Sequence, residues 1–291
     1  MDPRIKLFAD CRCILSESPM WHKKTNRLYW RGFNGEIYRK SVNDNVADFE
    51  CFSLDIGMIG SMVFTDSDDI LLFGEHAKIW KWKPGKTPVL HKNFQKNLFN
   101  DVVCDPKGRI YCGMLTENYF IPSRRGEYGS FWLLDDTGNF QCLENNIGIT
   151  PNGIRFSPQL DKLYFAVTDD QCIYQYDYDV KTGALSNKEV FVTGCSPDGI
   201  AVDAAGNLWV ANCVPGKPLL CYTPKGELID EIYFPVYRII SVGFGGPDNK
   251  LLFVTTASEH KAVGPHDGGV FMVESAVPGA DEYILYGRDL L

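Results

Sequence analysis

Six oxygen-bearing side chains stand at one phase of this sequence: Glu17, Ser61, Asn100, Asn152, Asp198 and Ser241. Each precedes an apolar residue by ten or eleven positions, the six anchors being Leu28, Leu71, Ile110, Leu163, Leu208 and Leu251. Four of the six have the greatest chemical reach: two carboxylates, Glu17 and Asp198, and two amides, Asn100 and Asn152. Their settings, "SESP", "FNDV", "TPNGI" and "SPDGI", put each in a turn beside Gly, Pro or a small polar residue, where backbone can approach a bound ion. Two carboxylates in one narrow site repel, and one has its pKa raised by the other. A divalent cation removes the conflict, because two negative charges balance it and amide oxygens complete an all-oxygen shell. Such hard donors suit calcium, magnesium or manganese better than zinc, and ferrous iron also fits them. The five histidines, at 22, 76, 91, 260 and 266, are off this phase, which argues against a His-ligated metal.

The elements that must hold these residues are legible from the anchors. Around them run "HKKTNRLYWR", "TDSDDILLFG", "DPKGRIYCG", "SPQLDKLYFA", "DAAGNLWVA" and "GPDNKLLFVT", each a polar turn followed by a short apolar run. The anchor spacings are 43, 39, 53, 45 and 43 residues. A period near forty-five, with hairpin turns and little helical periodicity, marks four-stranded propeller blades. The expected fold is therefore all-β, a six-bladed β-propeller with a central-channel metal site, and residues 1–291 form a single domain. Equivalent positions of successive blades would ring one mouth of the channel. Two strand-like end pieces, "RIKLFADC" and "GADEYILYG", are expected to close the ring within one blade.

Bulk properties narrow the classes further. The chain has 291 residues, 45% hydrophobic, with a net charge of −8 and no basic run, so neither nucleic acid nor an anionic membrane has electrostatic support as a partner. The start lacks the apolar stretch of a signal peptide, and no window reaches transmembrane length. Ten scattered cysteines show no CxxC pair, and they read as reduced, mostly buried thiols of a cytoplasmic protein. No G-x-S-x-G elbow is present, and "GFGGPD" lacks the spacing of a phosphate loop. "HKAVGPH" reads as surface loop and "WKWKPGK" as a strand with one solvated face.

The segments "SESPMW", "FNDVVCDPKGRIYCG", "TPNGIRFSPQLDKLYFA", "SPDGIAVDAAGNLWVA" and "FGGPDNKLLFVTTA" resemble, in order and spacing, the senescence marker protein 30 / gluconolactonase / luciferin-regenerating enzyme family. That resemblance implies one divalent cation, calcium first, with magnesium, manganese, zinc or ferrous iron as alternatives. It implies Glu17, Asn152 and Asp198 as its ligands, Asn100 at its open side, and Asp198 also as general base. Substrate contacts are expected at Asn100 and at Glu117 or Asn118, in "CGMLTENYF". One departure bears on substrate: where similar sugar lactonases carry Arg two positions before the Asn of "ND", this chain has Leu98. A more apolar substrate is one consequence, and Arg124 or Arg125 in "IPSRRGEYG" could compensate.

The reaction implied is hydrolytic opening of a small-molecule lactone. The cation polarises the carbonyl, and Asp198 takes a proton from the attacking water. Direct attack by Asp198 is a second mechanism. Two other functions fit the same pattern: a phosphotriesterase-like metal hydrolase, and a calcium-binding or scaffolding propeller without catalysis. The sequence leaves the oligomeric state open.

Overall fold

Every apolar anchor begins, or sits one residue into, the second strand of a four-stranded antiparallel sheet. The computed structural model describes residues 2–121, 126–259 and 264–286. Among them are six such sheets, the blades of a six-bladed β-propeller, with one 3-10 turn at Glu75–Ala77 and no α-helix. Among the described residues, no helix is long and apolar enough to cross a membrane. Blades 1 to 5 each pair four consecutive strands in order, over residues 17–53, 59–93, 98–145, 151–193 and 197–232. Blade 6 draws three strands from residues 238–274, and its fourth is Ile5–Ala9, which pairs antiparallel with Val270–Glu274.

The C-terminal piece behaves differently from the expectation. The described residues of "GADEYILYG" form no strand, only a bridge from Gly279 to Asp203 and another from Leu285 to Thr65. The physical reason is that Ile5–Ala9 already fills the last edge of blade 6. Leu285 is instead buried as a single apolar plug in the core around Val63, Phe73 and Ile110.

Local turn chemistry repeats between first and second strands. Asp105 Oδ1 accepts from the backbone N–H of Lys107 and Arg109 at 2.8 and 2.9 Å, and Asp203 Oδ1 from those of Ala205 and Asn207 at 3.0 and 2.9 Å. Such Asp-capped turns fold the backbone back on itself, and the glycine that follows, Gly108 or Gly206, takes the left-handed conformation (φ 82 and 87) that closes them. This is the local origin of the forty-five-residue punctuation.

Burial falls from first strand to fourth. Ile59–Phe64 and Pro197–Val202 are buried throughout, whereas Glu50–Ser53 and Phe140–Asn145 are largely open. The first strands nevertheless carry the six in-phase polar residues, and all six are buried. Each lies at or within a break in register against the second strand, for example between Pro151 and Ile154 or between Pro197 and Ile200. A bulge re-aims side chains that the pleat would otherwise alternate. Ser18, in the left-handed region (φ 50), marks the bulge beside Glu17.

The six blades fall into two compact units. Blades 1, 5 and 6 belong to the unit made of residues up to Ser53 and Ser196–Asp281; blades 2, 3 and 4 belong to Leu54–Cys195 with the residues from Glu282 onward. In the first unit, Trp21 stacks on Phe253, and Phe8 meets the same ring edge-on. In the second, Phe131 packs on Phe165 and Tyr111 edge-on to Phe156. All ten cysteines are free thiols and seven are buried, as the sequence leads one to expect.

Candidate functional site

In the unit of blades 1, 5 and 6, Glu17 opens the strand Glu17–His22 and pairs directly across the hairpin with Arg31, the last residue of Arg27–Arg31. The Arg31 guanidinium donates from Nη2 to Glu17 Oε2, and the two side chains are only 4% and 11% exposed. Asp198, second residue of Pro197–Val202, is 9% exposed. Its neighbour Gly199 has no room for a side chain, since a Cβ there would overlap Ser241. The first strands of blades 5 and 6 thus touch at the level of two in-phase residues.

Cys213 follows the strand Leu208–Asn212, donates its N–H to Ser196 O at 3.0 Å, and packs with Ile240, Ala257 and Leu15. Burial pushes the Cys213 thiol far above its ordinary range, and the negative charges of Asp198 and Glu17 push it further, against Arg238. One sulfur therefore feels both carboxylates. Arg238, at the start of Arg238–Gly245, is held by Glu259, with Nη2 to Oε1 at 2.6 Å.

In the unit of blades 2, 3 and 4, the two amides meet. Asn100 Nδ2 donates to Pro151 O at 2.9 Å and to Asn152 Oδ1 at 2.7 Å, while Asn152 Nδ2 donates to Thr168 Oγ1 at 2.8 Å. With both Asn100 amide hydrogens committed to blade 4, its Oδ1 is the accepting atom of the group. Asn152 Oδ1 takes one donor and keeps a second lone pair for another. Thr150 Oγ1, next to these residues in sequence, donates to Asp169 at 2.5 Å and lies 3.2 Å from the Tyr119 hydroxyl. Ser61 is buried on blade 2, where a Cβ at its neighbour Gly60 would overlap the Phe99 carbonyl.

The expected substrate contacts after the strand Ile110–Leu115 lie apart from this pair in their bonding. Glu117 is half exposed and stands 3.6 Å from His76 Nδ1, and Asn118 Nδ2 reaches Glu127 at 3.3 Å. Leu98 is buried at the start of Leu98–Cys104, opposite Leu115. Arg124 and Arg125 lie outside the described residues.

Among the described residues, no three His, Cys, Asp or Glu side chains group as a metal cluster. The in-phase side chains offer donors of another kind, carboxylates at Glu17 and Asp198 and amides at Asn100 and Asn152, all oxygen. That chemistry fits calcium, magnesium or manganese and fits a thiolate- or imidazole-seeking metal poorly. Sequence reasoning missed Arg31, Cys213 and Thr168. Arg31 carried a signal: it is a cation inside the apolar run "RLYWRG", at the hairpin position facing Glu17.

The sequence pattern of the SMP-30/gluconolactonase/LRE-like region matches residues 15–258. The chain belongs to that family. Among this member's relatives is a pentonolactonase from Haloferax volcanii, 30% identical over 94% of this chain and 96% of its own. A 6-deoxy-6-sulfogluconolactonase from Pseudomonas putida is 27% identical over 99% of this chain and 100% of its own. The regucalcin of Gallus gallus is likewise 27% identical, over 98% and 99%. Of solved structures, a luciferin-regenerating enzyme superposes with a TM-score of 0.85 over 97% of this family member and 99% of its own chain. Its identity is 22%, so that likeness speaks to the fold.

Proposed function

We propose that this family member is a divalent-cation-dependent lactonase. The observation that carries the reading is that two carboxylates, Glu17 and Asp198, are buried at equivalent bulges on the first strands of blades 1 and 5. Two such charges in a protein interior call for a cation. The Haloferax volcanii and Pseudomonas putida relatives are named as lactonases, which supports the reaction class.

In this reading Glu17 and Asp198 are carboxylate ligands, Asn152 is an amide ligand, and Asn100 contacts substrate. A bound divalent ion supplies Lewis-acid polarisation of the lactone carbonyl. Asp198 accepts a proton from the attacking water as the new C–O bond forms at the carbonyl carbon. The ring C–O bond then breaks, and the proton passes from Asp198 to the departing alkoxide, leaving a hydroxy acid. General-base assistance of this kind contributes about 10²- to 10⁴-fold. The Oδ1 of Asn100 accepts from a substrate hydroxyl, its amide held by the two hydrogen bonds to blade 4. Leu98, standing where an Arg would grip hydroxyls, favours a lactone less polar than a fully hydroxylated aldonolactone. The free-thiol interior suits a reducing compartment such as the cytoplasm.

Acid release from a panel of sugar and aliphatic lactones tests the proposal. Chelator-stripped protein is used, with calcium, magnesium, manganese, zinc or ferrous iron restored singly. Opening of one lactone class, dependent on one ion, is the expected result. No turnover with any lactone under any ion overturns it.

A further inference from the structure

We propose that Arg31 is the resident counter-ion of the metal-free protein, competing with the divalent cation for Glu17 and so weakening cation affinity. The inference rests on the cation reading above. Its basis is the cross-strand pair itself: Arg31 lies opposite Glu17 in the hairpin register, and its guanidinium holds Oε2 where neither side chain is open to solvent. A guanidinium stays charged at any working pH.

Without a metal, Glu17 and Asp198 would add two negative charges to the buried surroundings of Cys213. Arg31 cancels one of them at the oxygen that carries it. Removing either partner of a buried pair strands the other, so losing Arg31 destabilises the empty protein. When a doubly charged cation arrives, the same guanidinium becomes a repelling charge attached to one of its ligands. Like charges held close together in a buried site repel appreciably. The device keeps the protein folded when no metal is available, and its cost is looser metal binding.

An alternative role would make Arg31 a plain support that orients Glu17 for the metal. Loss of such outer partners weakens metal binding, typically about 10- to 100-fold. The two roles therefore predict opposite signs.

The test is calorimetric titration of chelator-stripped protein with Ca²⁺ and, separately, Mn²⁺. Wild type, Arg31→Met and Arg31→Lys are compared, with melting temperature measured with and without metal. Arg31→Met is expected to bind about 10- to 100-fold more tightly and to show a lower melting temperature when stripped. Its gain in melting temperature on metal addition is then larger than that of wild type. Arg31→Lys, which keeps the charge and loses the planar fork, is expected to bind within a few-fold of wild type. Where stripped Arg31→Met does not fold, Arg31→Gln replaces it, keeping a donor to Oε2 without the charge. Equal or weaker binding in the neutral variants overturns the proposal while leaving the cation reading intact. Absence of binding to wild type and variants alike overturns both. Tighter binding in the neutral variants, with no lactone opened by any of the proteins, upholds the role of Arg31 and removes the lactonase reading alone.

Discussion

Two buried arginine–carboxylate pairs sit at opposite ends of first strands. Arg31 meets Glu17 where the first strand of blade 1 begins, and Arg109 meets Asp105 just past the end of the first strand of blade 3. Asp105 is saturated. Its Oδ1 accepts from two backbone N–H groups, and its Oδ2 from Arg109 Nε at 2.5 Å and the Tyr178 hydroxyl at 2.6 Å. Arg109 continues to Val180 O at 2.6 Å, so the pair straps blade 3 to blade 4. Glu17 instead stands on a bulge, in phase with Asp198. The same two functional groups thus lock a turn in blade 3 and pair across a bulged hairpin in blade 1. What separates them is their place along the strand, a tight turn for Asp105 and a break in register for Glu17.

The contrast can be broken by mutation. Asp198→Ala should lower kcat for lactone opening by about 10²- to 10⁴-fold while the chain stays folded, as checked by circular dichroism beside the rate. A variant that keeps its rate would remove Asp198 from the chemistry. Asp105→Ala should do the reverse, costing about 3–5 kcal/mol in a urea melt by leaving Arg109 buried without its partner. The kcat of the protein that remains folded should not change. Reduced turnover with stability intact would erase the division between the two pairs. The smallest effect is expected at Asn100→Ala, about tenfold in kcat/KM and mainly through KM, because one neutral hydrogen bond to substrate is lost. A purely structural Asn100 would instead lower the melting temperature and leave KM in place.

Repetition made most of the fold legible. Six Asp/Gly/Asn turns before six apolar anchors fix six second strands, and the first strands follow by hairpin geometry. The in-phase oxygens were equally readable, since all six prove to be buried at bulges on first strands. The pairings across strands were harder to read. Arg31 looked like one more strand residue until the register set it against Glu17. The C-terminal piece has strand-like composition but no open edge to join, and an edge belongs to topology rather than to local sequence. Loop residues such as Glu117 and Asn118 have no repeat to fix their partners, which are His76 and Glu127.

The N-terminal strand carries a consequence for how this protein is made. Ile5 pairs with Val273, so this strand finds its partners far along the chain. Blades 1 to 5 can assemble their own strands as they emerge, while Ile5–Ala9 waits for blade 6. Closing such a long loop is slow, and until it closes, Val270–Glu274 presents an unpaired edge open to other chains. Deleting the first nine residues would leave that edge exposed permanently, so the trimmed protein should self-associate. Circular permutation offers the opposite remedy: joining Ile5–Ala9 directly behind Val270–Glu274 would make all six blades local in sequence and should speed refolding.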